Sequence, residues 1–109
     1  MSVTTKNPIC IDSLKMLGDF WTMMIIDKLS DGPLRFRDLE QKVNGVNTAT
    51  LTNRLKNMVA VGMIERRELS RADVTYHLTP LGEKALPVLD AVSEFSSAAK
   101  NILPENHST

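Results

Sequence analysis

Eight basic side chains lie between positions 35 and 71: Arg35, Arg37, Lys42, Arg54, Lys56, Arg66, Arg67 and Arg71. Only four acidic ones, Asp38, Glu40, Glu65 and Glu68, share that stretch, so it carries +4. The whole chain has 13 Lys+Arg and 13 Asp+Glu, which leaves −4 for the remainder and no net charge. Clustered cations bind phosphate oxygens whatever a protein's total charge. Among them sits a small, nearly neutral group, Ala49, Thr50, Thr52 and Asn53, at the start of a helical pattern. An Asn amide pairs bidentately with adenine, and the methyls of Thr or Ala can touch a thymine methyl. The residue types therefore divide into two sets. Arg35, Arg37, Arg54, Lys56, Arg66, Arg67 and Arg71 suit DNA phosphates, which position without specifying; Ala49, Thr50, Thr52 and Asn53 suit base edges.

No other chemistry is as well served. There is no nucleophile motif, no phosphate-binding loop and no convincing carboxylate pair, so an enzyme is not expected. Cys10, His77 and His107 have no metal-ligand spacing, and neither a metal nor a cofactor is expected. A single cysteine excludes an intrachain disulfide framework and is compatible with a reducing compartment. No apolar run approaches the ~18 residues that a membrane span needs, and residues 1–8 have no apolar core. A soluble cytoplasmic protein of ordinary globular composition follows, with 42% hydrophobic and 24% charged residues arguing against disorder.

The elements that must hold these residues can be read in order. Ile11, Leu14 and Leu17 predict a helix over 9–17, ended by Gly18. Asp19 is placed to cap a second helix from Phe20 to Leu29, apolar on most faces and so expected to be central. Phe20, Trp21, Met23 and Met24 suit core packing more than a ligand pocket. After the Asp31-Gly32-Pro33 stop, residues 34–36 can add a short strand pairing, and residues 37–43 make two helical turns with Leu39 and Val43 inward. A turn at 44–47 leads to a helix over 48–61, with Leu51, Leu55, Met58 and Val59 on its apolar face and Gly62 at its end. Residues 63–69 and 74–78 read as a hairpin. A last helix runs from Pro80 to about Leu103, bent or split near Leu86 by Pro87. Its apolar residues Leu81, Ala85, Val88, Val92, Phe95, Ala99 and Ile102 step by four and three, as in a heptad seam.

Helix, turn, longer helix and hairpin is the layout of a winged helix-turn-helix: mainly α with a small β-hairpin wing. In that layout helix 48–61 enters the major groove and hairpin 63–78 is the wing. One domain is expected over 9–103, with flexible ends at 1–8 and 104–109. A winged-helix protein-interaction module without DNA affinity is the alternative.

Five stretches, in order, resemble the HxlR-type transcriptional regulators, a family related to the MarR proteins. They are Leu17 to Thr22, Gly32 to Leu39, Leu51 to Leu55, Gly62 to Arg66, and Val74 to Gly82. The resemblance spans residues 10–96. It implies a homodimer built from N- and C-terminal dimerisation helices, with Ile11, Leu14, Val88, Val92, Phe95, Ala99 and Ile102 as interface candidates. It also implies double-stranded DNA as partner, with a near-palindromic operator. Two family habits are absent: basic residues early in the reading helix, where this chain has Thr48-Ala49-Thr50, and a proline pair at the wing tip. Some members sense oxidants, electrophiles or quinones through a cysteine before the first helix. Cys10 falls at that position, followed by Ile11 where the family usually has proline. The resemblance thus makes Cys10 a candidate redox sensor, with packing as the plainer role, and leaves room for a small-molecule effector.

Overall fold

A computed structural model describes residues 8–100. Six helices and three strands follow one another among these: α1 (Ile11–Leu17), α2 (Phe20–Leu29), β1 (Leu34–Arg35), α3 (Phe36–Lys42), α4 (Thr48–Val61), β2 (Ile64–Ser70), β3 (Asp73–Leu78), α5 (Pro80–Glu83) and α6 (Leu86–Ala98). The strands form an antiparallel sheet in the order β1-β3-β2. The expected strand pairing near Leu34 is present, with Leu34 opposite Tyr76 and Arg35 opposite Thr75, while Phe36 already belongs to α3. This is a winged helix. None of the described helices is long and apolar enough to cross a membrane.

The core forms where the apolar faces of α2, α3 and α4 meet the sheet. Ile25 and Ile26 of α2, Leu39 of α3, Leu51 and Met58 of α4, and Ile64 of β2 are all fully or almost fully buried. Each such side chain contributes about 1.5–3 kcal/mol of burial. On the sheet, Tyr76 is buried, and Val74 and Leu78 pack against the same core. Val59 departs from its expected place: it is partly exposed, whereas Leu51, Leu55 and Met58 are buried. One step past Met58, it turns toward the edge of the helix face.

Two backbone features join α4 to the hairpin. Gly62 takes a left-handed conformation (φ 94°), and its N–H bonds to the carbonyls of Met58 and Val59. The Thr79 hydroxyl donates to the Gly62 carbonyl and accepts from the Gly82 N–H, so it caps α5 and holds the α4–β2 corner together. A Cβ on Gly82 would be driven into the Met63 carbonyl oxygen, so only glycine lets α5 approach β2 this closely.

The terminal helices differ from expectation in detail. α1 starts at Ile11 rather than Ile9, with Cys10 as its N-cap residue, and buries no residue of its own. The last helical segment is split: α5 ends at Glu83 and α6 begins at Leu86, because Pro87 has no N–H to bond the carbonyl four residues earlier. α6 ends at Ala98, short of Leu103, and Ile102 lies outside the described residues, as do the expected tail at 104–109 and most of the expected flexible N-terminus. The seam itself divides. Ala85 and Ala99 are buried and Val88 packs on the protomer's core, whereas Val92 and Phe95 are exposed.

Candidate nucleic-acid interface

The reading helix is built from its first residue outward. The Asn47 side chain accepts a 2.7 Å bond from the Thr50 N–H, giving α4 an N-cap. The Thr48 hydroxyl donates to Glu40 of α3 at 2.7 Å, which ties the two helices across their turn. With Leu51, Leu55 and Met58 turned inward, Ala49 and Asn53 are exposed and Thr50 and Thr52 half-buried. The four base-edge candidates therefore include two side chains that face solvent without obstruction, Ala49 and Asn53.

The cations sort by their partners. Arg35 pairs with Asp73 at 3.0 Å, Arg66 with Glu68 at 3.0 Å and Arg67 with Glu65 at 3.0 Å. The two wing pairs are residues i and i+2 on a strand, where side chains share a face. The two wing pairs are exposed, so they hold their arginines weakly and phosphate oxygens can compete for them, whereas the Asp73 partner of Arg35 is half-buried. Arg37, Lys42, Lys56 and Arg71 make no ion pair with another described residue. Lys42, counted in the charge of the segment but not among the phosphate candidates, is exposed at the end of α3.

Arg54 is different. Its Nε donates to Asp19 Oδ2 at 2.8 Å and its Nη2 to Asp19 Oδ1 at 3.1 Å, a bidentate fork between residues 35 positions apart. Both side chains are only 28% exposed. The same carboxylate caps α2, accepting from the Thr22 N–H at 2.9 Å and from the Thr22 hydroxyl at 2.8 Å. Arg54, expected to serve a phosphate, is thus engaged by Asp19 within the protein. Sequence reasoning saw Asp19 only as a helix cap, since nothing local links it to the middle of α4.

Cys10 is exposed at the start of α1. The Ser13 hydroxyl first, then the backbone N–H groups of Ser13 and Asp12, hold its thiol below the ordinary value by hydrogen-bonding the thiolate. Beside α1 lies a mostly apolar cavity of about 310 Å³, walled by Met16, Leu17, Val61, Met63, Leu81 and Ala85 and reached by Asp12, Ser13 and Lys84. None of Phe20, Trp21, Met23 and Met24 lines it. Instead Met23 is in the core, and Phe20 meets Trp21 edge-on, ring centroids 4.9 Å apart.

Residues 16–103 match the model of the HxlR-like helix-turn-helix family. The chain belongs to that family. An HTH-type transcriptional regulator of Halalkalibacterium halodurans is 32% identical over 92 residues, covering 82% of this chain and 81% of its own length. The HTH-type transcriptional regulator YodB of Bacillus subtilis is 31% identical over 80 residues, 72% of this chain and 71% of YodB. Among solved structures, a MarR-family regulator of Porphyromonas gingivalis superposes with a TM-score of 0.75 at 26% identity, covering 89% of this chain and 97% of that one. This HxlR-like protein is accordingly a transcriptional regulator of the helix-turn-helix type.

The Asp19 carboxyl is held at about 2, against an ordinary 3.8, chiefly by the Arg54 guanidinium and then by Thr22. A carboxyl that binds its proton more weakly folded than unfolded stabilises the fold above the unfolded value and loses that contribution as pH falls toward the folded one. In urea unfolding, Asp19→Asn is expected to be about 1–2 kcal/mol less stable than the wild type at pH 7, discounted for partial exposure. The gap should close between pH 4 and pH 2; a gap that stays constant would show that Asp19 does not carry it.

Proposed function

We propose that this HxlR-like regulator binds a near-palindromic operator as a homodimer, with α4 in the major groove and the β2–β3 hairpin as wing. The observation that carries the reading is the division of the exposed residues on α3, α4 and the wing. Ala49 and Asn53 are exposed beside Thr50 and Thr52, and Arg37, Lys42, Lys56 and Arg71, which make no ion pair with another described residue, lie on α3, α4 and the wing. The first group suits base edges and the second phosphates. Arg35, Arg66 and Arg67 join the second group by exchanging their carboxylates for phosphates.

The reading is tested by titrating salt against binding to duplex DNA. Affinity should fall steeply with salt, with a log–log slope on the order of 7 if four cations per protomer each neutralise a phosphate. Asn53→Ala should change which sequence is preferred, by about 1–3 kcal/mol at one position, whereas Arg71→Ala should weaken all sequences alike. Equal effects of the two substitutions would mean that α4 does not read bases. A protein that binds no duplex even at low salt would favour an interaction module instead.

The homodimer reading is supported by the apolar side chains left uncovered on the terminal helices. Ile11 and Leu14 on α1 and Val92 and Phe95 on α6 are all more than half exposed, Phe95 at 63%. Such residues on two terminal helices that both pack against α2 suit a second copy of the chain better than water. Phe95→Glu is expected to shift sedimentation from dimer to monomer and to cost at least tenfold in operator affinity, since two half-sites no longer bind together. A dimer that survives this substitution and a matching one at Val92 would place the contact elsewhere.

We further propose that the operator is released by a redox or electrophile signal, or by a small molecule. Cys10 supports the first, being exposed with a lowered thiol pKa, and the cavity beside α1 supports the second. YodB, one of the relatives, has a solved structure with quinone bound, at 25% identity and a TM-score of 0.70, covering 80% of this chain and 93% of that one. Diamide or a quinone is expected to release DNA from the wild type and to leave Cys10→Ser bound; equal responses of the two proteins would remove Cys10 from the signal.

A further inference from the structure

Every arginine of the surface around α4 except Arg37 and Arg71 is ion-paired, but the pairs are of two kinds. Arg66 and Arg67 hold the exposed carboxylates of Glu68 and Glu65, and giving one up for a phosphate costs little; Arg35 holds the half-buried Asp73 through a single contact. The Arg54 pair is bidentate and half as exposed, and its carboxylate is already bonded to the backbone and hydroxyl of Thr22. To release Arg54, DNA would have to leave a partly buried, cap-forming carboxylate without its cation. That exchange is unfavourable.

Placement makes this pair matter for reading. Arg54 follows Asn53 directly, and the buried Leu51 and Leu55 flank it on α4. The buried Leu51, Leu55 and Met58 seat α4 on the core, and directional bonds then set the finer rotation of its exposed face. A planar guanidinium fork on a carboxylate is directional. Asp19 stands at the N-terminus of α2, whose Ile25 and Ile26 are at the centre of the core, so the fork refers the rotation of α4 to the most buried helix.

We propose that Asp19 determines sequence specificity through Arg54: it fixes the face that α4 turns to the bases and keeps the Arg54 charge off the DNA backbone. Asp19 and Arg54 are positioning residues, and neither touches DNA. The proposal rests on the DNA-binding reading above. It implies that removing either partner lowers discrimination, but that only the loss of Asp19 strengthens non-specific binding. Losing Asp19 frees a cation beside the groove. Losing Arg54 frees none.

The test uses the full chain as wild type, Asp19→Asn, Arg54→Met and the double variant. Each is titrated with salt against an operator selected in vitro with the wild type and against mixed-sequence duplex DNA. Asn caps a helix as well as Asp does, so Asp19→Asn keeps the start of α2; Asp19→Ser, which also keeps a capping oxygen, serves if it does not fold. Asp19→Asn is expected to steepen the salt slope by about one per protomer and to raise mixed-sequence affinity about threefold or more. Arg54→Met is expected to leave the slope unchanged and to lower the operator-to-mixed ratio about tenfold, within the usual cost of a misread base pair. The double variant should match Arg54→Met. A merely structural pair would lower stability without raising mixed-sequence affinity in Asp19→Asn. An unchanged slope in Asp19→Asn, or a shallower one in Arg54→Met, overturns the proposal while leaving DNA binding intact. A wild type that binds neither duplex removes the DNA-binding reading and the proposal together.

Discussion

The carboxylate of Asp19 accepts from four donors: the Thr22 N–H, the Thr22 hydroxyl and two nitrogens of Arg54. Through the first two it starts α2, the helix around which the core is arranged; through the others it holds α4, the helix that carries the base-edge candidates. The remaining elements hang from these two. α3 is tied to α4 through Glu40 and Thr48. β2 leaves α4 at Gly62, and α5 is pressed against that corner by Thr79 and the missing side chain of Gly82. A shift of α4 about its own axis would therefore carry the wing with it, and the partly buried pair at Asp19 opposes such a shift.

Electrostatics on this surface are organised by commitment rather than by total charge. The stretch from Arg35 to Arg71 carries +4 along the chain, yet two of its arginines pair with acids outside it, Asp73 and Asp19, and two more pair within the wing. Charge that is exposed and paired stays available to a stronger anion; charge that is partly buried and doubly bonded does not. The same residue type thus does different work at Arg54 and at Arg66.

The periodic parts of the fold were legible in the residues. The limits of α2 and α4 follow from their apolar spacing and from Asp19, Asn47 and Gly62 at their ends. The buried positions Leu39, Val43, Leu51, Leu55 and Met58 follow from the same spacing, and the split before α6 follows from Pro87. Val59 did not follow, because a residue at the edge of an apolar stripe is turned in or out by its neighbours. The wing pairs were within reach, since Glu65 and Arg67, like Arg66 and Glu68, stand two apart on a strand; counting net charge along the segment concealed them.

What the sequence by itself determined is the set of elements, their order and the residue types offered to DNA, because helical and strand periodicities are local and are written in neighbouring positions. The five ordered motifs added the family. Only the tertiary structure decided which of those residues remain free. Asp19 and Arg54 are 35 positions apart, and no local pattern reports that the start of α2 and the middle of α4 come within hydrogen-bonding distance. The apolar seam of the last helix was likewise divided by packing: Ala85 belongs to the core and Val88 packs against it, whereas Val92 and Phe95 are exposed, because each face meets what its neighbours bring to it. Periodicity specifies a face; only the assembled neighbours specify what that face meets.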